Sequence, residues 1–176
     1  MKRIFAFAAV LGIAAGLAAA QVAKPASDPW ASVRFLIGQW EGVGSGAPGQ
    51  ASGGTAFALE LNANILVRKN WSNFPPKPGE TKGLNHEDLM IVYPSGEAAG
   101  LRAIYFDMEG HVIQYTLVIP ASPNAAVFES DAAQKGPRYR LTYSLAADGT
   151  LKNTFSIAMP GQDFKEYMTG SLKKKS

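Results

Sequence analysis

The chain has 176 residues, of which 17 are basic and 14 acidic, with two histidines and no cysteine. The missing thiol excludes disulfides, thiolate nucleophiles and cysteine-ligated metals together. The basic excess sits at the two ends: without Lys2, Arg3, Lys173, Lys174 and Lys175 there remain 12 basic against 14 acidic residues, which is not the footprint of a nucleic-acid binder.

In chain order, the first segment reads as a secretory signal peptide. Lys2 and Arg3 precede an apolar run over 4–17, and Ala18-Ala19-Ala20 supplies small residues before Gln21. An uncleaved membrane anchor is the alternative, for which the run is short. A periplasmic or secreted protein is expected, with no membrane attachment after cleavage. Residues 21–27 read as a flexible leader, 28–172 as one domain and 173–176 as a frayed basic tail. Roughly 156 residues remain after cleavage, enough for a single core burying about 70% of the unfolded surface.

Asp28-Pro29 has the form of an N-cap followed by proline at the first helical position. Trp30, Val33, Leu36 and Ile37 then recur at helical spacing up to Gly38, so one short amphipathic helix is expected there. Beyond Gly38 the period becomes two. Strand-like runs cover 39–44, 54–61, 64–73, 87–93, 100–106, 111–119, 125–130, 138–146, 150–159 and 163–172. The turns between them are short: Asn62-Ala63-Asn64, Asp107-Met108-Glu109-Gly110, Asp148-Gly149 and Pro160-Gly161-Gln162. Short connections make successive strands antiparallel, and a meander of about ten strands tends to close on itself. The expected fold is all-β, an up-and-down antiparallel barrel with one short helix over an end; a two-sheet sandwich is the alternative. The longest loop, 75–85, is the expected lid or mouth.

A helix leading into Gly38-Gln39-Trp40 and then a strand meander resembles the lipocalin and fatty-acid-binding-protein superfamily, the calycins. The stretch "GQWEGVGSG" is similar to the Gly-x-Trp-x-Gly-x-Gly opening of nitrobindin-type barrels, and "LRAIYFDMEGHVIQY" with "PRYRLTY" resembles exported bacterial lipocalin-like proteins of the DUF1579-like kind. The resemblance implies a ten-stranded barrel around a ligand cavity, with the tryptophan closing one end. A nitrobindin-type barrel would also hold heme on a proximal histidine late in the chain. Here the histidines are His86 and His111, with none after, so no cofactor is expected. Fatty-acid-binding proteins grip a carboxylate with Arg-x-Tyr on the last strand, where this chain offers Lys165-Glu166-Tyr167.

Arg68, Arg102, Arg138 and Arg140 lie within strand-like runs. An arginine there is either a solvated outer charge or a buried anchor whose planar donor fork fits a carboxylate. Strand parity leaves open which face of 101–106 or 111–119 points inward. Trp40, Arg68, Arg102, Tyr115 and Arg140 are the lumen candidates, and His86 and His111 the rim candidates. In His86-Glu87-Asp88 only His86 and Asp88 share a face, so a metal would need a further ligand such as Asp107 or His111, and no metal is expected. Asp107 is expected to bond the backbone of its turn, with His111 bonded to Asp107. No Gly-x-Ser-x-Gly elbow is present.

The expected function is a binding module for a small apolar or amphipathic, anionic molecule held in the barrel. Three alternatives stand beside it: an acid–base enzyme drawing on Tyr105, Tyr115, Arg102 and Glu87, a heme-binding nitrobindin-like protein, and a barrel that binds nothing. Oligomeric state is not legible.

Overall fold

Alternation of apolar and polar residues, broken by turn chemistry, becomes ten strands. They are β1 (Gly38–Ala47), β2 (Ser52–Glu60), β3 (Ile65–Phe74), β4 (Leu84–Pro94), β5 (Leu101–Asp107), β6 (Val112–Val118), β7 (Ala125–Ser130), β8 (Arg138–Leu145), β9 (Thr150–Ala158) and β10 (Lys165–Lys174). The computed structural model describes residues 28–47, 52–96, 100–118, 122–131 and 136–176. The expected signal peptide and leader lie outside them. Every strand pairs antiparallel with its sequence neighbour, and β1 pairs with β10, so the sheet closes into a barrel. Closure removes the exposed edges that an open sheet would carry.

Register decides which side chains meet inside. Arg68 of β3 stands opposite Phe57 of β2 and Met90 of β4, and Met90 stands opposite Tyr105 of β5. The outer face carries charges such as Lys69, Glu87 and Lys152, all exposed. Charges on the outward face set this barrel apart from a lipid-embedded one, whose outward band is apolar.

One end of the barrel is plugged. The expected helix is reduced to a single 3-10 turn, Arg34–Leu36, after a run of turn residues. The spacing explains the correction: Trp30, Val33 and Leu36 recur every third residue, the period of a 3-10 helix, and all three are buried. Gly38, which follows, has φ of +132°, and a Cβ there would lie 2.7 Å from Lys174 Cε. Trp40 turns inward from β1, and its Nε1 donates to the Leu36 carbonyl at 2.8 Å. Lys174 Nζ lies 5.5 Å from the Trp40 ring centroid. The tail is ordered rather than frayed: β10 runs to Lys174, and Lys175 Nζ lies 2.8 Å from Glu41 Oε1.

Trp30 Nε1 donates to the Ala63 carbonyl at 3.0 Å, fastening the plug to the β2–β3 turn. That turn is strained, because Leu61, Asn62 and Ala63 have φ of 50°, 56° and 61°. Left-handed backbone costs an L-residue with a Cβ about 1–2 kcal/mol. Ala63→Gly is therefore expected to stabilise the protein by about 1 kcal/mol, less the entropy of a looser unfolded chain. Thermal unfolding of the variant checks it, and a lowered Tm would count against this account.

Candidate functional site

The half of the barrel beyond the plug encloses a cavity of about 1060 Å³. Its mouth lies at the end formed by the β3–β4, β5–β6 and β9–β10 connections. Pro75, Pro76, Lys77 and Glu80 of the long loop border it. The volume suits a ligand of drug-like size.

Two unlike walls face each other. In a ring of ten strands, β3, β4 and β5 lie opposite β8, β9 and β10. The first group contributes Arg68, Asn70, Ser72, His86, Asp88 and Asp107, together with Phe74 and Leu84 near the long loop; the second is mainly Tyr139, Leu141, Phe155, Ile157, Tyr167 and Met168, together with Asn153 and Thr169. Tyr139 and Phe155 are nearly parallel, at 12° with centroids 5.8 Å apart, and Tyr167 meets Phe155 edge-on at 6.3 Å. Tyr167 sits where β10 shifts register between Glu166 and Met168. The floor includes Tyr115, Asn153 and Gly42, where a Cβ would lie 3.1 Å from the Gly53 carbonyl oxygen.

The polar wall is a chain of ion pairs. Arg68 Nη1 lies 2.9 Å from Asp88 Oδ1, with both side chains almost fully buried. Arg68 Nε donates to Thr55 Oγ1 at 3.3 Å, and Asn70 Nδ2 donates to Asp88 Oδ2 at 2.8 Å. The Nη1–Oδ1 approach is an ion pair rather than an aligned hydrogen bond, and neither atom has appreciable surface open to the cavity. Asn153 Oδ1 is likewise buried without a partner. Nearer the mouth, His86 lies between two carboxylates, with Nε2 3.3 Å from Asp88 Oδ2 and Nδ1 3.0 Å from Glu109. Tyr105 donates to Asp107 Oδ2 at 3.3 Å. The β5–β6 turn is built as the sequence indicates: Asp107 accepts from the His111 backbone and from His111 Nδ1, each at 2.8 Å.

These contacts fix the protonation states. Burial opposes the charge on Asp88, but Arg68, His86 and Asn70 outweigh it and hold the carboxyl below its ordinary value. Burial likewise opposes the charge on Arg68, and Asp88 more than restores it. Asp88 raises His86 to about 9 against opposition from burial, with Glu109 adding to the rise. Burial, then Asp88 and Asp107, pushes the Tyr105 phenol up, so it stays a donor. His86 gains a raised pKa on folding, from 6.5 to about 9. Its contribution to stability is complete below the lower value and is lost as pH rises through the upper one. Tm is expected to decline across that interval, and His86→Gln to flatten the decline. A wild-type Tm that rises over the same interval would contradict the pairing.

The structure places Arg68 and Tyr115 on the cavity wall, with His86 and His111 near the mouth. Trp40 is buried in the plug and does not border the cavity. Two lumen candidates are corrected. Arg102 lies on the outer face and pairs with Asp131. Arg140 also points outward, 2.7 Å from Glu129 Oε1, with its Cζ 3.8 Å from the Phe164 ring centroid. Both alternate with buried neighbours, Leu101 and Ala103 in β5 and Leu141 and Tyr143 in β8. Charge partners in and just after β7 satisfy them outside. Arg138 shares that outer patch through Phe164. Sequence reasoning missed Asn70, Glu109, Asn153 and the ring wall of Tyr139 and Phe155.

No protein-family model matches this chain, and no curated protein matches it. The closed ten-stranded antiparallel barrel is consistent with a calycin-like fold. Heme, which the nitrobindin resemblance implies, does not fit the histidines. His86 has a carboxylate against each ring nitrogen, and His111 is 68% exposed with Nδ1 on Asp107. Among the described residues, Asp107, Glu109 and His111 place ligand atoms within 4.8 Å of one another. The hydrogen bonds of the turn account for Asp107 and His111, and Glu109 is engaged by His86.

Proposed function

We propose that this protein binds a small amphipathic molecule in its barrel, in the manner of exported lipocalin-like proteins of the DUF1579-like kind. The observation that carries the reading is the two-sided cavity of about 1060 Å³, with a buried Arg68–Asp88 pair on one wall and an aromatic and aliphatic surface on the other. Apolar area supplies affinity, and the polar wall fixes orientation.

Convergence of Tyr105, His86, Asp88 and Arg68 brings an acid–base enzyme to mind, but the protonation states favour binding. A general base works best with a pKa near the operating pH. Here His86 keeps its proton up to about 9, and the Tyr105 phenol is shifted upward. Neither group is poised to accept a proton at neutral pH.

The signal-peptide pattern over residues 1–20 supports export, and cleavage before Gln21 is part of the proposal. Native mass spectrometry of the full-length gene product recovered from the periplasm tests both parts. The expected spectrum shows a chain beginning at Gln21, plus a small molecule lost on denaturation. An intact Met1 terminus would overturn cleavage, and absence of the chain from the periplasmic fraction would overturn export. A ligand-free mass would overturn tight ligand carriage.

A further inference from the structure

We propose that the occupant of the cavity is an uncharged aromatic molecule bearing hydroxyl or amide groups along one edge. The inference rests on the binding reading above and narrows it, replacing the anionic ligand expected from the arginines alone.

The charge argument begins with pairing. Arg68 stands 2.9 Å from Asp88, and His86 has carboxylates at 3.3 and 3.0 Å. Among the described residues, no cation on this wall is without an anion beside it. A ligand carboxylate reaching Arg68 would have to displace Asp88, leaving a buried charge uncompensated, and would meet Glu109 and Asp107 on the way in. The hydrogen-bonding groups left over are of both kinds. On this wall Ser72 borders the cavity with a hydroxyl that both donates and accepts, and Asn70, whose Nδ2 serves Asp88, brings its amide carbonyl as an acceptor. A carboxylate supplies only acceptors and an ammonium only donors, but a hydroxyl or amide supplies both.

The aromatic argument comes from the opposite wall. Tyr139 and Phe155 are tilted alike, with centroids 5.8 Å apart, too far for full face-to-face overlap. Each ring therefore leaves part of its face uncovered by the other, and both rings border the cavity. Tyr167 adds an edge-on ring at the mouth. A planar aromatic guest gains offset or edge contacts with such a surface beyond the area it buries, and a flexible chain gains area only while losing rotamer freedom.

The test compares three probes by titration calorimetry at neutral pH: a naphthol, the matching naphthoate and an unbranched fatty alcohol of similar apolar area. The naphthol is expected to bind best, with the naphthoate weaker by about tenfold or more. Phe155→Leu is expected to weaken naphthol binding several-fold more than fatty-alcohol binding. A preference for naphthoate or for the fatty alcohol would overturn the inference and leave the binding reading standing. Failure of all three to bind would overturn the inference too. The binding reading would then fall only if native mass spectrometry also found the protein without ligand.

Discussion

Replacing Arg68 with methionine should cost about 3–5 kcal/mol of stability, the penalty for stripping a buried ion of its partner. For a chain of this size that lowers Tm by on the order of 10 °C. Asp88 would stay among Met90, Tyr105 and Tyr115 with only Asn70 and His86 to hold its charge. Asp88→Leu should be comparably damaging, because it leaves the guanidinium buried instead. The double variant Arg68→Met/Asp88→Leu should recover much of the loss, since no lone charge remains inside. Denaturant unfolding of the three variants reads this directly. A cost below about 1 kcal/mol for Arg68→Met would place the pair in a far wetter setting than its burial implies.

Trp40→Ala should be equally severe, at about 3–5 kcal/mol, because it hollows out the plug between Leu36 and Leu172. Trp40→Phe keeps most of the apolar volume but leaves the Leu36 carbonyl without its 2.8 Å donor. Its expected cost is about 1–3 kcal/mol. Because Trp40 does not border the cavity, ligand affinity in the folded Trp40→Phe protein should match the wild type. A variant that stays fully stable but loses ligand would reverse the roles assigned to the two ends.

Much of this architecture was legible in the sequence, for a physical reason. Side-chain alternation and turn chemistry are local, and in an up-and-down barrel nearly all pairing is between sequence neighbours. The plug's helix type is not legible because Trp30, Val33 and Leu36 satisfy three-residue and four-residue spacing almost equally well over so short a run. The outward position of Arg140 is legible in the sequence after all: Tyr139, Leu141, Tyr143 and Leu145 alternate strictly with Arg138, Arg140, Thr142 and Ser144. For Arg102 no such signal exists, since Ile104 and Phe106 make its face look as apolar as that of Leu101 and Ala103. The Arg68–Asp88 pair was half visible. Each charge stands where an inward face turns from apolar to polar, Leu66 before Arg68, Asn70 and Ser72 on one strand and Val92 and Met90 beyond Asp88 and His86 on the next. Opposite charges on the inward faces of adjacent strands imply a shared partner. The two-walled cavity was not visible at all, because it depends on strands five apart in the ring facing one another.

The seam between β1 and β10 governs how the chain must fold. Residues 38–47 open the barrel and 165–174 complete it, so the last hydrogen bonds join segments separated by nearly the whole domain. Hairpins along the meander can form early, each from close neighbours, but ring closure must wait for the final strand. Until then a growing or truncated chain carries two unpaired sheet edges, those of β1 and β9, available to any other chain in the same condition. Loss of the last ten to twelve residues, roughly one strand, would therefore do more than shorten the protein. It would turn a self-contained ring into an open ribbon prone to aggregate through its edges.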